Sequence, residues 1–314
     1  MSVATADQDG AGRMGRPVRV TSISFTGKGL AEIGPIVERE AARGTDIIAL
    51  PETWTGQTGH TPETLDGPTI TAMRAVARRF HTYVVCPIDR QDADRRVNSA
   101  VLIDRDGEVA GVYDKAYPYW SEYDITPAVQ AGSEVPVFQT DFGRLGLAIC
   151  FDVNFPEVWK RMADQGCELV IWPSAYSAGT SLQSHALVNH YYIVSSTGEN
   201  DCIVYDITGA QILYEKSAGV NVSRVTLDLD RGIYHQNFNL DRRDLLLREH
   251  GQDVFQETWM DREQWFVLRS KRAGVLARAL ARQYGLEELR DYVDRSRRQI
   301  DQMRGAPAAA GKVR

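Results

Sequence analysis

Two short segments constrain the fold of this chain more than anything else in it. Residues 42–53, ARGTDIIALPET, and residues 164–175, DQGCELVIWPSA, follow the same course. Each runs from a glycine through four consecutive apolar residues to a proline and then a polar residue, which sets Glu52 against Ser174. An apolar run this short, without alternation, reads as a strand buried on both faces, and such strands occur where helices cover a mostly parallel sheet. The pair reads as buried sheet built twice, in two pseudo-equivalent halves, with chance similarity between two helix-glycine-strand-proline units as the alternative.

The surrounding periodicity fits that reading. A strand VRVTSISF from residue 18 precedes a helix marked by Leu30, Ile33, Ile36 and Val37, with Gly44 as its C-terminal cap. The strand Ile47–Leu50, a helix from about Thr69 to Phe80 and the strand YVVCPI follow. NSAVLI and EVAGVY then flank the turn Asp104–Gly107 as a hairpin. The second half repeats the order: strand RLGLAIC, a helix from Pro156, strand ELVIW, a helix from Leu182 to His190, strand YYIVSS and a hairpin turning at Thr208-Gly209. Two sheets packed together with helices outside satisfy all of these elements, giving an α/β fold of four layers, an α-β-β-α sandwich. In such folds reactive groups sit in loops after the carboxyl ends of buried strands, and both Glu52 and Cys150 fall there.

The ends of the chain read differently. Residues 1–17 carry no apolar stretch of the kind a secretory signal has and read as a disordered tail, as do residues 305–314. The two-half α/β pattern occupies 18–250, and 251–304 reads as a C-terminal helical extension with one basic helix from about Lys271 to Arg304. That helix holds nine Lys/Arg against five Asp/Glu, and its apolar residues Leu276, Leu280, Leu286, Leu289 and Val293 need a cover. A contact with a second subunit is the expectation.

Composition narrows the function classes. With 36 Lys plus Arg against 42 Asp plus Glu, the formal charge is -6, which argues against general nucleic-acid binding. No run approaches the length of a membrane span, so no membrane partner is expected. The four cysteines, Cys86, Cys150, Cys167 and Cys202, are scattered without a C-x-x-C pair, which points to free thiols, a cytoplasmic setting and no zinc site.

Three residues carry candidate chemistry. Cys150 ends an apolar strand and precedes Phe151-Asp152-Val153-Asn154-Phe155-Pro156-Glu157, a strand-to-helix elbow where an exposed thiol gains thiolate character. Taken singly, a packed core thiol is the alternative. Glu52 ends an otherwise apolar strand, where a carboxylate is costly unless paired or used as a base; a salt-bridged structural glutamate would look the same. Lys115 lies in VYDKAYPYWSEYD, with Tyr117, Tyr119 and Trp120 around it and Glu122 seven residues on; a solvated lysine is the alternative.

The combination and its order resemble the nitrilase superfamily, the carbon-nitrogen hydrolases with a Glu-Lys-Cys triad. The signatures stand here as Leu50-Pro51-Glu52, as Y-x-K-x-x-P from Tyr113 to Pro118, and as Cys150 to Glu157, within a likeness covering about residues 18 to 230. By that resemblance Glu52 is the base, Lys115 the oxyanion cation and Cys150 the nucleophile. Glu122 matches a further glutamate that helps position substrate. The resemblance implies the αββα sandwich, a small-molecule amide substrate, no metal or organic cofactor, and a homo-oligomer. Phe151-Asp152 stands where true nitrilases typically have Trp-Glu, which favours amides or N-carbamoyl compounds over nitriles. Asn154 stands where many amide-cleaving relatives carry Arg, which weakens the case for an α-carboxylate substrate. Trp54, Tyr119, Trp120, Phe151, Asn154 and Tyr176 are the expected pocket lining, with aromatic packing under a loop as the alternative.

Two other readings compete. A papain-like thiol hydrolase would pair Cys150 with His185 or His190, although these are five apart and off a shared helix face. A catalytically silent assembly subunit would need none of the three residues that are all present here.

Overall fold

A computed structural model of the protein describes residues 13–55 and 62–305. These form two compact units, one of Arg19–Val225 and one of the residues before Arg19 together with Thr226 onward.

In the larger unit the first sheet takes β1 (Pro17–Ser24), β2 (Ile47–Ala49), β3 (Tyr83–Asp92), β4 (Arg95–Ile103), β5 (Val109–Asp114) and β12 (Asn221–Asp228), in the order β12-β1-β2-β3-β4-β5. The second takes β6 (Val137–Gln139), β7 (Arg144–Leu147), β8 (Leu169–Ser174), β9 (Tyr192–Thr197), β10 (Asp201–Tyr205) and β11 (Gln211–Lys216), in the order β6-β7-β8-β9-β10-β11. Each sheet is an edge strand, three parallel strands, then two antiparallel ones. The two halves read in the sequence are thus real. Their hairpins match in detail: Asp104 accepts the N–H groups of Asp106 and Glu108, and Asp206 those of Thr208 and Ala210. Gly107 and Gly209 close these turns at φ +76° and +78°, a conformation that costs glycine little.

Helices α1 (Leu30–Ala41) and α2 (Pro68–Phe80) bury Ile33, Val37, Ile70 and Met73 with Ile48, Val84 and Val101 of the first sheet. On the second sheet, α4 (Pro156–Asp164) sets Met162 over Gly146 of β7, so closely that a Cβ there would lie 2.5 Å from its sulfur. Beside it α5 (Thr180–Asn189) buries Leu182 and Ala186. The two sheets face each other through small hydroxyl residues. Ser22 Oγ donates to the Ser195 carbonyl at 2.7 Å, Ser196 Oγ to that of Ile23 at 3.0 Å, and Thr197 N–H to Ser24 Oγ at 3.0 Å. Short polar side chains let the sheets approach while pairing every group they bury.

The other unit departs from the expected extension. Its strands β13 (Gly232–His235), β14 (Val254–Met260) and β15 (Trp265–Ser270) form an antiparallel sheet in the order β13-β15-β14, and α6 (Leu240–His250) joins them. The single basic helix is in fact two, α7 (Ala277–Gln283) and α8 (Leu289–Met303). Gly274 and Gly285, at φ +78° and +75°, hold the chain in a left-handed conformation that a continuous helix excludes. Leu286 is buried with Tyr234, Leu246, Val254, Phe266, Leu268, Ala277 and Ala281, and Leu280 packs against that core. Leu276 and Val293 stay exposed and Leu289 half-buried. Part of the apolar surface that called for a partner is therefore covered within this unit.

Of the tails read over residues 1–17 and 305–314, residues 1–12 and 306–314 lie outside the described residues, which leaves only the inner ends to describe. There the backbone N–H groups of Gly15 and Arg16 donate to Asp228 at 3.3 and 3.0 Å. Among the described residues no helix is long and apolar enough to cross a membrane.

Candidate active site

Glu52 follows β2, Cys150 follows β7 and Ser174 ends β8, so all three sit at the carboxyl ends of parallel strands. Lys115 directly follows β5, and Glu122 lies on the short helix α3 (Trp120–Tyr123). The fold brings these five together.

Lys115 is the centre of the cluster, almost fully buried, with Nζ 2.7 Å from Glu52 Oε1 and 2.6 Å from Glu122 Oε2. Glu52 Oε2 accepts the Ala175 N–H at 2.8 Å, and Glu122 Oε2 that of Tyr119 at 2.6 Å. Asn98, on β4, donates from Nδ2 to Oε1 of both glutamates at 2.7 Å. Burial works against the ammonium, but the charges of Glu52 and Glu122 outweigh it and hold the Lys115 pKa above the ordinary lysine range. Lys115 therefore stays charged.

The Cys150 thiol lies close enough to Ser174, Glu52 and Lys115 for all three to act on its proton. Here the structure corrects an expectation. The sulfur is buried rather than exposed, and burial together with the Glu52 charge pushes its pKa up, against the pull of Lys115 and Ser174. The resting group is a thiol that needs a base, not a preformed thiolate.

Backbone strain marks the same places. Cys150 has φ +46° and Thr53, next to Glu52, φ +37°, both unfavourable for residues with a side chain and both retained at this cluster. The elbow from Cys150 to Asn154 is a 3-10 turn, so β7 ends at Leu147, short of the cysteine. Asp152 holds it. Fully buried, its carboxylate accepts from Ile149 N–H at 2.8 Å, Tyr113 Oη at 2.7 Å and Tyr117 N–H at 3.0 Å. Burial raises its pKa to about 6, with these donors and Lys115 pulling the other way, so at neutral pH it is an anion tying the Lys115 loop to the cysteine elbow. Tyr113→Phe removes one donor from that buried carboxylate. It is expected to cost about 1.5–3 kcal/mol of stability, read from urea unfolding.

The other sequence candidates divide. Tyr119 packs edge-on against Phe151, whose ring meets Phe155, and Tyr117 stacks on Phe155 at 3.6 Å. Tyr119, Trp120, Asn154 and Tyr176 are exposed and Phe151 half-buried. Tyr176 lies near Asn154 and within range of the charges of Glu52 and Lys115, which places it beside the cluster. Trp54 is a correction. It is fully buried against Phe25 in the core of the first sheet and offers no surface to a ligand. His185 Nε2 is on the Val153 carbonyl with its ring stacked on Trp159, and His190 Nδ1 is on the Ile207 carbonyl; both serve the packing of α5. Cys86, Cys167 and Cys202 are buried, and burial raises the pKa of Cys86 and takes that of Cys202 to about 12. Among the described residues no group of three or more His, Cys, Asp or Glu is arranged to hold a metal ion.

Sequence reasoning passed over Asn98 and did not give Ser174 or Asp152 a role. Ser174 had a signal, its pairing with Glu52 in the repeat: the two equivalent residues converge on one sulfur.

The carbon-nitrogen hydrolase family model matches residues 26–231, two thirds of the chain. The chain belongs to the carbon-nitrogen hydrolase family. It is 28% identical over 204 residues to a deaminated glutathione amidase of Synechocystis sp., covering 57% of this chain and 74% of that protein. To the omega-amidase NIT2 of Homo sapiens it is 26% identical, over 52% of this chain and 66% of the relative. A citrullinase of Francisella tularensis is 26% identical over 67% of this chain and 88% of its own length. Among solved structures, Saccharomyces cerevisiae Nit3 of the nitrilase superfamily has a TM-score of 0.59 at 19% identity, covering 68% of this chain and 91% of that one. A mutant amidase from Nesterenkonia sp. AN1 in complex with butyramide has a TM-score of 0.56 at 21% identity, over 74% and 96% of the two chains. This carbon-nitrogen hydrolase thus shares the fold of nitrilase-superfamily structures, and its relatives by sequence include amidases.

Proposed function

We propose that this carbon-nitrogen hydrolase cleaves the C–N bond of a small non-peptide amide or N-carbamoyl compound through a thioester on Cys150, releasing ammonia. The observation that carries the reading is the Lys115 ammonium, buried between Glu52 and Glu122 beside the cysteine.

An amide is a poor electrophile with a poor leaving group, so the site must supply a nucleophile, a place for the oxyanion and a proton for the nitrogen. Glu52 accepts the Cys150 proton as the sulfur attacks the carbonyl carbon, and passes that proton to the nitrogen as ammonia leaves. Water, deprotonated by Glu52, then attacks the thioester, and the acid leaves as the thiol regains its proton. Of the three N–H donors of Lys115, two are engaged by glutamates, which leaves the third for the substrate oxygen. The second donor is the Phe151 N–H. Trp172 Nε1 donates to the Cys150 carbonyl at 3.1 Å, and in a planar trans peptide this turns the next N–H the opposite way.

Two features support amides and N-carbamoyl compounds over nitriles as substrates. The amidase and citrullinase relatives act on such groups by name. Asp152, in the place where nitrilases typically have Glu, is consumed in bracing the elbow. Ammonia release from a panel of simple amides, N-carbamoyl amines, N-carbamoyl amino acids and nitriles tests the assignment; turnover of nitriles only would overturn it.

The chain also works as a homo-oligomer on this reading. Val293, Ile300 and Met303 of α8, with Leu276 before α7, are exposed apolar side chains on an otherwise charged surface. Light scattering at micromolar concentration is expected to give at least twice the mass of one chain, and a monomer mass would refute it.

A further inference from the structure

Asn98 is 2% exposed, on a strand whose following residues Ser99 to Ile103 are buried. Its Nδ2 stands 2.7 Å from Oε1 of Glu52 and 2.7 Å from Oε1 of Glu122, so each of its two hydrogens serves one carboxylate. The amide cannot be turned round, because its oxygen would then face two anions. Its Oδ1 is buried with no hydrogen-bond partner among the described residues. An apolar residue of the same size would leave no such orphan. The position therefore holds an amide for its two donors, at the cost of its acceptor.

We infer that Asn98 is a positioning residue for the hydrolysis proposed above, locking Glu52 and Glu122 on either side of the Lys115 ammonium without adding a charge. The consequence is geometric. Two like charges repel, and one cation between them leaves each carboxylate free to swing. A neutral bridge from Asn98, together with the N–H groups of Ala175 and Tyr119, fixes both. Glu52 then keeps an acceptor direction for the thiol, and Lys115 keeps its third hydrogen for the substrate oxygen.

The test rests on that reading of the site but is built to separate from it. Among the described residues, the titratable groups that act on Glu52 include Lys115, Cys150 and Tyr176, with Glu122 across the Asn98 bridge; Asp152 acts with Lys115 and Arg96 with Glu122. All of them are present in wild type and in Asn98→Leu, so the difference between the two pH profiles isolates the amide. Alkylation of Cys150 by iodoacetamide, followed by mass spectrometry across pH, is the first arm. Without the Asn98 bridge Glu52 loses a fixed aim at the thiol, so alkylation of N98L should be about tenfold slower than wild type across the pH range. In the second arm, on the best amide found for wild type, kcat should fall about 10- to 100-fold while KM stays within about threefold. Asn98→Ser, which keeps one donor, should recover part of both effects, and it serves in place of N98L if the latter does not fold. Superimposable alkylation profiles with kcat within about twofold would overturn the role of Asn98. If wild type turns over no amide, the proposed function fails, while the alkylation arm still decides for or against Asn98.

Discussion

Cys150→Ala is expected to lower amide turnover by about 10⁴-fold or more while leaving the protein folded. Loss of a nucleophile from a group of residues that act as a unit removes nearly all of the chemistry, and what remains is binding and oxyanion stabilisation. The fold should hold for a local reason. The strain at Cys150 is in its backbone, at φ +46°, and alanine bears the same Cβ there. The elbow is braced by Asp152 and by the Trp172 bond to the Cys150 carbonyl, neither of which involves the sulfur. Deleting the thiol also removes a buried polar group beside a carboxylate, so the thermal midpoint should match or exceed that of wild type. Full ammonia release by a folded C150A protein would end the proposed mechanism.

Lys115→Met should act on stability and activity together, and a second change separates the two. Removing the ammonium leaves Glu52 and Glu122 facing each other, one buried and one largely so, without a cation. Breaking a buried pair in this way costs about 3–5 kcal/mol, far more than the net value of the pair, because an uncompensated charge remains. Turnover should fall by about 10²- to 10³-fold, the usual loss for one oxyanion donor. The double variant Lys115→Met, Glu122→Gln removes one of the opposed charges. It should regain a good part of the stability in urea unfolding yet none of the turnover, since the donor to the substrate oxygen is still missing. A K115M protein as stable as wild type would mean that the two glutamates are not held against this lysine as described.

Why the sequence pointed to Glu52, Lys115 and Cys150 but not to Asn98 has a physical answer. A carboxylate or thiol at the end of an apolar strand is conspicuous because burial is costly for it. Asn98 is neutral and opens the strand NSAVLI, where a polar first residue is unremarkable. Its significance comes from two residues 46 and 24 positions away, which only the folded chain brings to its nitrogen. Trp54 erred in the opposite direction: close in sequence to Glu52, it turns with the chain at Thr53 into the core beside Phe25. The C-terminal segment was read as one helix because its charges and leucines are spaced for one. Two glycines at positive φ break it, and the preceding aromatic strands give it a core of its own.

The sequence by itself determined the two-sheet architecture, because wholly apolar strands at a repeated spacing have few places to go but between layers. It also determined which chemical groups end those strands. Only the tertiary structure decided that Lys115 stands between two acids, that the cysteine rests as a buried thiol, and that Asp152 and Asn98 hold the arrangement. Strand and helix patterns are set by neighbours along the chain, whereas the charge state and aim of a side chain are set by groups that fold against it from far away in sequence.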